Sequence, residues 1–415
     1  MADIKLIKTP VKGMRDFLEE EMQIRNYVIA QIKKTYHQFG YNEIETPIIE
    51  HIENLTSNQG GENEKLIFKI LKRGEKLKES ALTINELADC GLRYDLTLPL
   101  SRFYANNANN LSYPFKALQI GNVFRAERPQ KGRFRQFTQC DIDILGESSS
   151  LAEIDLITAT STLLNLFPIN YTIRINDRRI LKAMIMYAGF SESDIDNILI
   201  SLDKLDKINK SGVTEELLAK GFTEDKIETY LNLFTKNVSN SPLDFCGNLF
   251  NDYLEEGVVE NLENIILTVK NTANTNILFD PTLVRGMSYY TGPIFEIASN
   301  DFSGSIGGGG RYDEMIGKFT NISVPACGFS IGFERLVAIL IEKEFKVNYQ
   351  EEKCAFILDK DLEENKKIDI LKEANNLRNE NKIVKVVYRN KNAKYQKEML
   401  IKEGYTNIKE IFKEV

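Results

Sequence analysis

The chain has 415 residues, enough for two or three domains with a substantial core, which excludes a small scaffold held together by cross-links. With 53 Lys and Arg against 60 Asp and Glu it carries a formal charge of −7, so contact with a polyanion must come from local clusters and not from the surface as a whole. Five scattered cysteines without a C-x-x-C pair exclude a disulfide framework or zinc site, and no signal-like stretch or run of about 18 apolar residues occurs, so a cytoplasmic protein without a membrane span is expected.

Along the chain, residues 19–38 space Ile24, Val28, Ile32 and Tyr36 at helical intervals, and Gly40 ends the helix. YNEIETPIIE then alternates like a strand until Pro47 interrupts its ladder. From 91 to 146 the pattern reads as strands: LRYDLTLPLSRF, PFKALQIGNVFRA and RFRQFTQCDIDILG, the last two joined as an antiparallel hairpin through Pro-Gln-Lys-Gly. Alternation places Arg133, Arg135, Phe137, Gln139, Asp141 and Asp143 on one face of the returning strand. After YTIRIND the chain turns to short Lys-, Asp- and Glu-rich helical runs, as expected of an inserted helical domain. Strand patterns resume with NILFDPTL, YYTGPIFEI and FSGSIGGGGRYDEM, then pass into ACGFSIGFERLVAILI. From Glu351 the order is strand and helix in alternation, with 15 Lys and Arg against 13 Asp and Glu, as expected of a small, mildly basic α/β domain.

The chemistry concentrates in RAERPQKGRFRQF, residues 125–137. Arg125, Arg128, Lys131, Arg133 and Arg135 lie beside Phe137, and guanidinium forks with an aromatic face suit a nucleoside triphosphate. A solvated hairpin tip would have the same composition. Arg335 follows a Gly-containing strand at the start of a helix, where a guanidinium and a helix N-terminus can converge on an anion. Arg285, set among apolar and aromatic residues in LVRGMSYYTG, needs a carboxylate or phosphate partner. No G-x-x-x-x-G-K-[ST] loop is present, and the glycines at 307–310 read as a tight turn. His37 and His51, the two histidines, have neither metal-site spacing nor a nucleophile to serve, so chemistry based on a histidine base is not expected.

These stretches, in this order, resemble the class II aminoacyl-tRNA synthetases, and specifically the histidyl-tRNA synthetase family. GYNEIETPIIE resembles motif 1, FRAERPQKGRFRQFTQCDIDILG motif 2 and GFSIGFERL motif 3. LVRGMSYYTG and GGGRYD resemble the two histidine-specific motifs. The resemblance implies an α+β fold: an antiparallel catalytic sheet with flanking helices (1–177 and 271–345), a helical insertion (178–270) and a C-terminal anticodon-binding-like α/β domain (350–415), shortened because it stops soon after its third strand.

It also implies roles. Arg125 would contact the α-phosphate of ATP, Arg133 and Arg335 the distal phosphates, and Phe137 the adenine, with Glu127 beside the nucleotide or the tRNA end. Arg285 would hold the reacting carboxylate and α-phosphate. Asp95, Thr97 and Gln139 would bind the α-ammonium and carboxylate end of L-histidine, and Asp143, Tyr290 and Tyr312 its imidazole. Without the resemblance, an ordinary reading makes Asp95 and Asp143 turn or edge residues and Asp141 the one that faces solvent. ATP, Mg²⁺, the tRNA for histidine and a homodimer formed around Pro47 complete the expectation. Two alternatives stay open: a non-catalytic, histidine-sensing regulatory subunit of ATP phosphoribosyltransferase, and an adenylating paralogue with a non-tRNA acceptor. The sequence departs from the family pattern at Ser288, often acidic there, and at Thr138, often an aromatic or histidine.

Overall fold

The computed structural model describes residues 6–57, 63–74, 77, 83, 87–130, 132–236, 241–284, 289–302, 304–347 and 352–413. Lys131, Arg285 and Ser288 lie outside them. The chain divides into two compact units, Met1–Phe345 and Lys346–Val415.

The first unit opens with the helix Glu19–Gln38, whose face of Val28, Ile32, Thr35 and Tyr36 is buried and whose first turn holds Glu19, Glu20 and Glu21 at the positive end of the helix dipole. Gly40, at φ +81°, turns the chain out of it. The strands that follow are β1 (Asn42–Glu43), β2 (Ile49–His51), β3 (Lys69–Leu71) and β4 (Ala88–Leu92), with Pro47 in the gap between β1 and β2. They continue as β5 (Phe115–Phe124), β6 (Gln136–Leu145), β7 (Tyr171–Asp177), β8 (Ile277–Phe279), β9 (Pro293–Ser299), β10 (Ser305–Arg311) and β11 (Ala326–Ile331).

Among the described residues eight of these form one sheet, in the order β1-β5-β6-β11-β10-β9-β7-β8. It is antiparallel except for the edge pairings β1–β5 and β7–β8. Strands β2, β4 and β3 form a small separate sheet. Helices between Arg178 and Thr272 fill the stretch from β7 to β8.

Two readings of the sequence are corrected here. TLPLSRF is not strand but the opening of the helix Thr97–Asn107. Pro99 sits in its first turn, where a missing N–H costs nothing, and the Asp95 carboxylate accepts a hydrogen bond from the Leu98 N–H at 3.1 Å. The glycines at 307–310 are not a turn but the body of β10, in the middle of the sheet, and none has positive φ. Strands β9 and β11 crowd this position: a Cβ on Gly309 would fall 1.9 Å from the Gly328 carbonyl oxygen, and one on Gly310 2.6 Å from that of Pro293. Glycine is required here for close approach and not for conformational freedom.

One buried ion pair ties the sheet to the helices beside it. Arg25, on the first helix, donates from Nη1 to Glu334 Oε2 (2.6 Å) and from Nη2 to Glu334 Oε1 (2.9 Å), across 309 positions of sequence. The Glu334 carboxylate also accepts from the Thr138 N–H on β6 at 3.1 Å. The Arg25 guanidinium lies 3.9 Å from the centre of the Phe17 ring and 4.7 Å from that of Phe333.

In the second unit β12 (Lys353–Leu358) pairs in parallel with β13 (Ile383–Tyr388) on one side and β14 (Asn407–Ile411) on the other. Alternation along β12 sends Phe356 and Leu358 to Ile370 and Ala374 of the helix Glu364–Asn379, and Ala355 and Ile357 to Leu400 of the helix Ala393–Lys402.

Removing one member of the Arg25–Glu334 pair leaves the other charge buried. Arg25→Ala should therefore lower stability in urea unfolding by about 3–5 kcal/mol, while the double variant Arg25→Met, Glu334→Leu recovers most of the loss. A loss below about 1 kcal/mol for the single variant, as for a surface pair, would contradict this reading.

Candidate active site

A cleft opens over β6, β10 and β11. Eleven of the twelve site residues expected from the sequence line it, namely Asp95, Thr97, Arg125, Glu127, Arg133, Phe137, Gln139, Asp143, Tyr290, Tyr312 and Arg335. Arg285 is the twelfth and is not among the described residues. The alternation of β6 accounts for Phe137, Gln139, Asp141 and Asp143, which all reach the cleft from one strand.

One part of the cleft is acidic. Asp143 is buried; its Oδ1 accepts from the Tyr312 hydroxyl, and among the described residues its Oδ2 has no hydrogen-bond partner. Burial holds its carboxyl well above the ordinary carboxylate range; the charges of Asp141 and Asp95 add to the rise, and the Tyr312 hydroxyl opposes it. Space for this carboxylate exists because its cross-strand neighbour is glycine: a Cβ on Gly328 would lie 2.0 Å from Asp143 Oδ1. Tyr312 in turn meets the Tyr289 ring edge-on, with centroids 6.0 Å apart, and Tyr289 packs on Tyr290.

Asp141 corrects a further expectation, because it is buried in the cleft and does not face solvent. Its carboxylate accepts from Gln139 Nε2 at 3.1 Å and from the Ser330 hydroxyl at 2.5 Å. Burial pushes it up to about 7, the hydrogen bonds from Ser330 and Gln139 pull it down, and the charge of Asp95 adds to the rise. The signal was present in the sequence, since Asp141 alternates in phase with Gln139 and Asp143.

The other part is basic. Arg125 donates from Nε to the Tyr94 carbonyl at 3.1 Å, with its guanidinium 4.3 Å from the Tyr94 ring centre and 5.2 Å from that of Phe137. Arg133 lies 3.4 Å from the Glu127 carboxylate, and both are partly exposed. Arg335 is the third residue of the helix Phe333–Glu342, donates to the Ser305 carbonyl and stands over the Phe302 ring. Arg125 and Arg133, held by a carbonyl, aromatic rings and one partly exposed carboxylate, can still meet an anion, and Arg335 lines the same part of the cleft.

Arg128 and Arg135 of the hairpin do not line the cleft, and the partners of Arg135 are backbone. Arg135 donates to the Glu127 and Lys12 carbonyls, and its N–H bonds the Gly13 carbonyl, so its task is to fix the N-terminal segment against the hairpin. Two arginines of the histidine-specific and LRYDLT stretches are also structural. Arg311 makes a buried bidentate pair with Glu153 at 2.7 and 2.8 Å, and Arg93 donates from Nη1 to the Thr46 carbonyl at 2.7 Å. Neither partner is near in sequence, so no spacing pattern points to them.

The acidic cluster predicts a pH dependence. The folded-state value of Asp141 lies above its ordinary 3.8, so the folded protein holds this proton more tightly; its contribution to stability is fully present below the ordinary value and is lost as pH rises toward about 7. In urea unfolding of the unliganded protein, the stability of Asp141→Asn relative to the parent should therefore climb between those two values and level off above. Parallel curves for the two proteins would contradict the assignment.

Comparison with known proteins agrees with this geometry. A family model described as histidyl-tRNA synthetase matches residues 13–336. The chain is 46% identical over 346 residues to a histidine–tRNA ligase of Leifsonia xyli subsp. xyli, covering 80% of each, and 38% identical over 348 residues to one of Bacteroides fragilis, covering 80% of this chain and 76% of that one. Among solved structures it is similar to a histidyl-tRNA synthetase from Nostoc sp. PCC 7120, with TM-score 0.75, 26% identity, and 96% of this chain and 90% of that chain covered. In fold it also matches an ATP phosphoribosyltransferase regulatory subunit/histidyl-tRNA synthetase from Bacillus halodurans, with TM-score 0.77, 21% identity, and 99% and 100% covered. Together with the cleft and its ordered motifs, these matches establish that the chain belongs to the histidyl-tRNA synthetase family.

Proposed function

We propose that the protein is a histidine–tRNA ligase: it activates L-histidine with ATP to histidyl-adenylate and pyrophosphate, then transfers histidine to the 3′ end of its cognate tRNA. The observation that carries this reading is the division of one cleft into a carboxylate part (Asp95, Asp141, Asp143) and an arginine part (Arg125, Arg133, Arg335). Such a site complements an ammonium and an imidazole on one side and a polyphosphate on the other.

In the first step the substrate carboxylate, already ionised at neutral pH, attacks the α-phosphorus and expels pyrophosphate. The reaction needs alignment and charge stabilisation more than a base. On this reading Arg125 holds the α-phosphate, Arg133 and Arg335 the distal phosphates, and Phe137 the adenine, while Arg285 spans the carboxylate and α-phosphate. Asp95, Thr97 and Gln139 hold the amino-acid end. Asp143, Tyr290 and Tyr312 address the imidazole, where groups left unpaired by an apolar analogue supply the selectivity.

Mg²⁺ would be held chiefly by the phosphate oxygens of ATP, with Glu127 as the cleft carboxylate available to it, and would neutralise the phosphate charge. Among the described residues no cluster of three His, Cys, Asp or Glu side chains could hold an ion by itself. In the second step a ribose hydroxyl of the tRNA attacks the adenylate carbonyl, and a phosphate oxygen of the intermediate accepts the proton. The helices between β7 and β8 are assigned to the acceptor arm, and the Lys346–Val415 unit to a supplementary grip on tRNA. Exposed Ile48 and Ile49 beside Pro47 support a homodimer through that region. Among the described residues no helix is long and apolar enough to cross a membrane, and a cytoplasmic location is the natural one for this activity.

The test is histidine-dependent ATP–pyrophosphate exchange, followed by charging of the tRNA for histidine. Both should occur, and Arg125→Ala or Arg285→Ala should reduce exchange by about 10²–10³-fold. Exchange without charging would point to another acceptor. Histidine binding without exchange would leave a regulatory subunit.

A further inference from the structure

Gln139 is buried in the cleft, and its amide is held in one orientation. Nε2 donates to Asp141 Oδ2 at 3.1 Å and to Ser330 Oγ at 3.1 Å, and the Ser330 hydroxyl gives its own proton to Asp141 Oδ1. Asp141 and Ser330 are cross-strand partners in the β6–β11 ladder, so both acceptors are set by the sheet. An amide turned over would set Oε1 against an ionised carboxylate that accepts and cannot donate. The consequence falls on the other end of the amide: Oε1 is buried and, among the described residues, has no hydrogen-bond partner. A buried amide oxygen left unsatisfied in a ligand cleft calls for a donor brought by the ligand.

We propose that Asp141, with Ser330, is a positioning residue that fixes the Gln139 amide so that Oε1 is presented as an acceptor to the α-ammonium of the bound amino acid. Asp141 acts through Gln139, and its contribution is specificity for a ligand bearing a cationic donor. The inference rests on the histidine reading of the cleft and adds to it the device that orients the acceptor. Asparagine at 141 offers either an oxygen or an NH₂ to Gln139, so the amide loses its fixed sense and part of the time points its own N–H groups at the ammonium.

The test compares two ligands of one shape, histidine and its deamino analogue imidazolepropionate, at about pH 8, where the Asp141 carboxyl is ionised. Asp141→Asn and Ser330→Ala should weaken histidine, read as KM in pyrophosphate exchange, with Asp141→Asn losing about tenfold or more. The KM for ATP and the inhibition constant of imidazolepropionate should stay within about twofold. A further variant separates orientation from structural damage: Gln139→Glu in the Asp141→Asn background restores an oxygen in either sense and should recover histidine binding. Equal losses for histidine, imidazolepropionate and ATP, or no recovery in the double variant, would overturn the proposal while parent activity left the histidine reading standing. A parent protein without histidine-dependent exchange would overturn both.

Discussion

The cleft depends on the close approach of two strands in the middle of the sheet. β10 carries Gly307 to Gly310, and β11 opposes Gly310 with Gly328, so the floor between the flanking strands is largely backbone. Side chains from the edges of this floor then reach inward: Asp143 across Gly328, Tyr312 from the chain just after β10, and Gln139 and Asp141 from β6. Without the glycines Asp143 and Tyr312 could not meet where they do. The sheet accepts the conformational cost of a four-glycine strand because β9 and β11 pair with it on both sides.

Around this floor the fold places charge by two different means. Acidic groups are buried and pressed against one another, which raises Asp141 and Asp143 above ordinary carboxylate values and leaves Asp143 Oδ2 and Gln139 Oε1 without partners among the described residues. Basic groups sit toward the more open hairpin, tethered by carbonyls and rings. The unliganded protein thus holds unfavourable electrostatics on one side that a cationic, hydrogen-bonding ligand would relieve. Two buried pairs, Arg25–Glu334 and Arg311–Glu153, hold the surrounding helices to the sheet, and the first of them reaches the cleft wall through Glu334.

Much of this was legible in the residues. The hairpin of β5 and β6 followed from alternation about Pro-Gln-Lys-Gly, and the first helix from Val28, Ile32 and Tyr36. The position of Arg335 followed from a glycine-bearing strand running into a helix. What could not be read was set by distant contacts. FSGSIGGGGRYDEM reads as strand overall, but a run of glycines has no side chains to alternate, so only the crowding by β9 and β11 shows that 307–310 continue the strand and do not turn. TLPLSRF continues the strand-like LRYD in sequence, but Asp95 and the first-turn tolerance for Pro99 make it helical. Alternation puts Asp141 on the face it occupies, but nothing in the sequence shows that this face is closed over it. Glu334 and Arg25 are 309 positions apart, and nothing local announces them.

Gly328→Ala tests the central claim most directly, because its Cβ would fall 2.0 Å from Asp143 Oδ1 and on the acidic side of the cleft. Calorimetric titration with histidine and, separately, with a non-hydrolysable ATP analogue should show histidine affinity lost by about a hundredfold or more. Nucleotide affinity should stay within about threefold. Unchanged histidine affinity, or loss of both ligands together in a protein that still folds, would contradict the account of a cleft built on a bare-backbone floor.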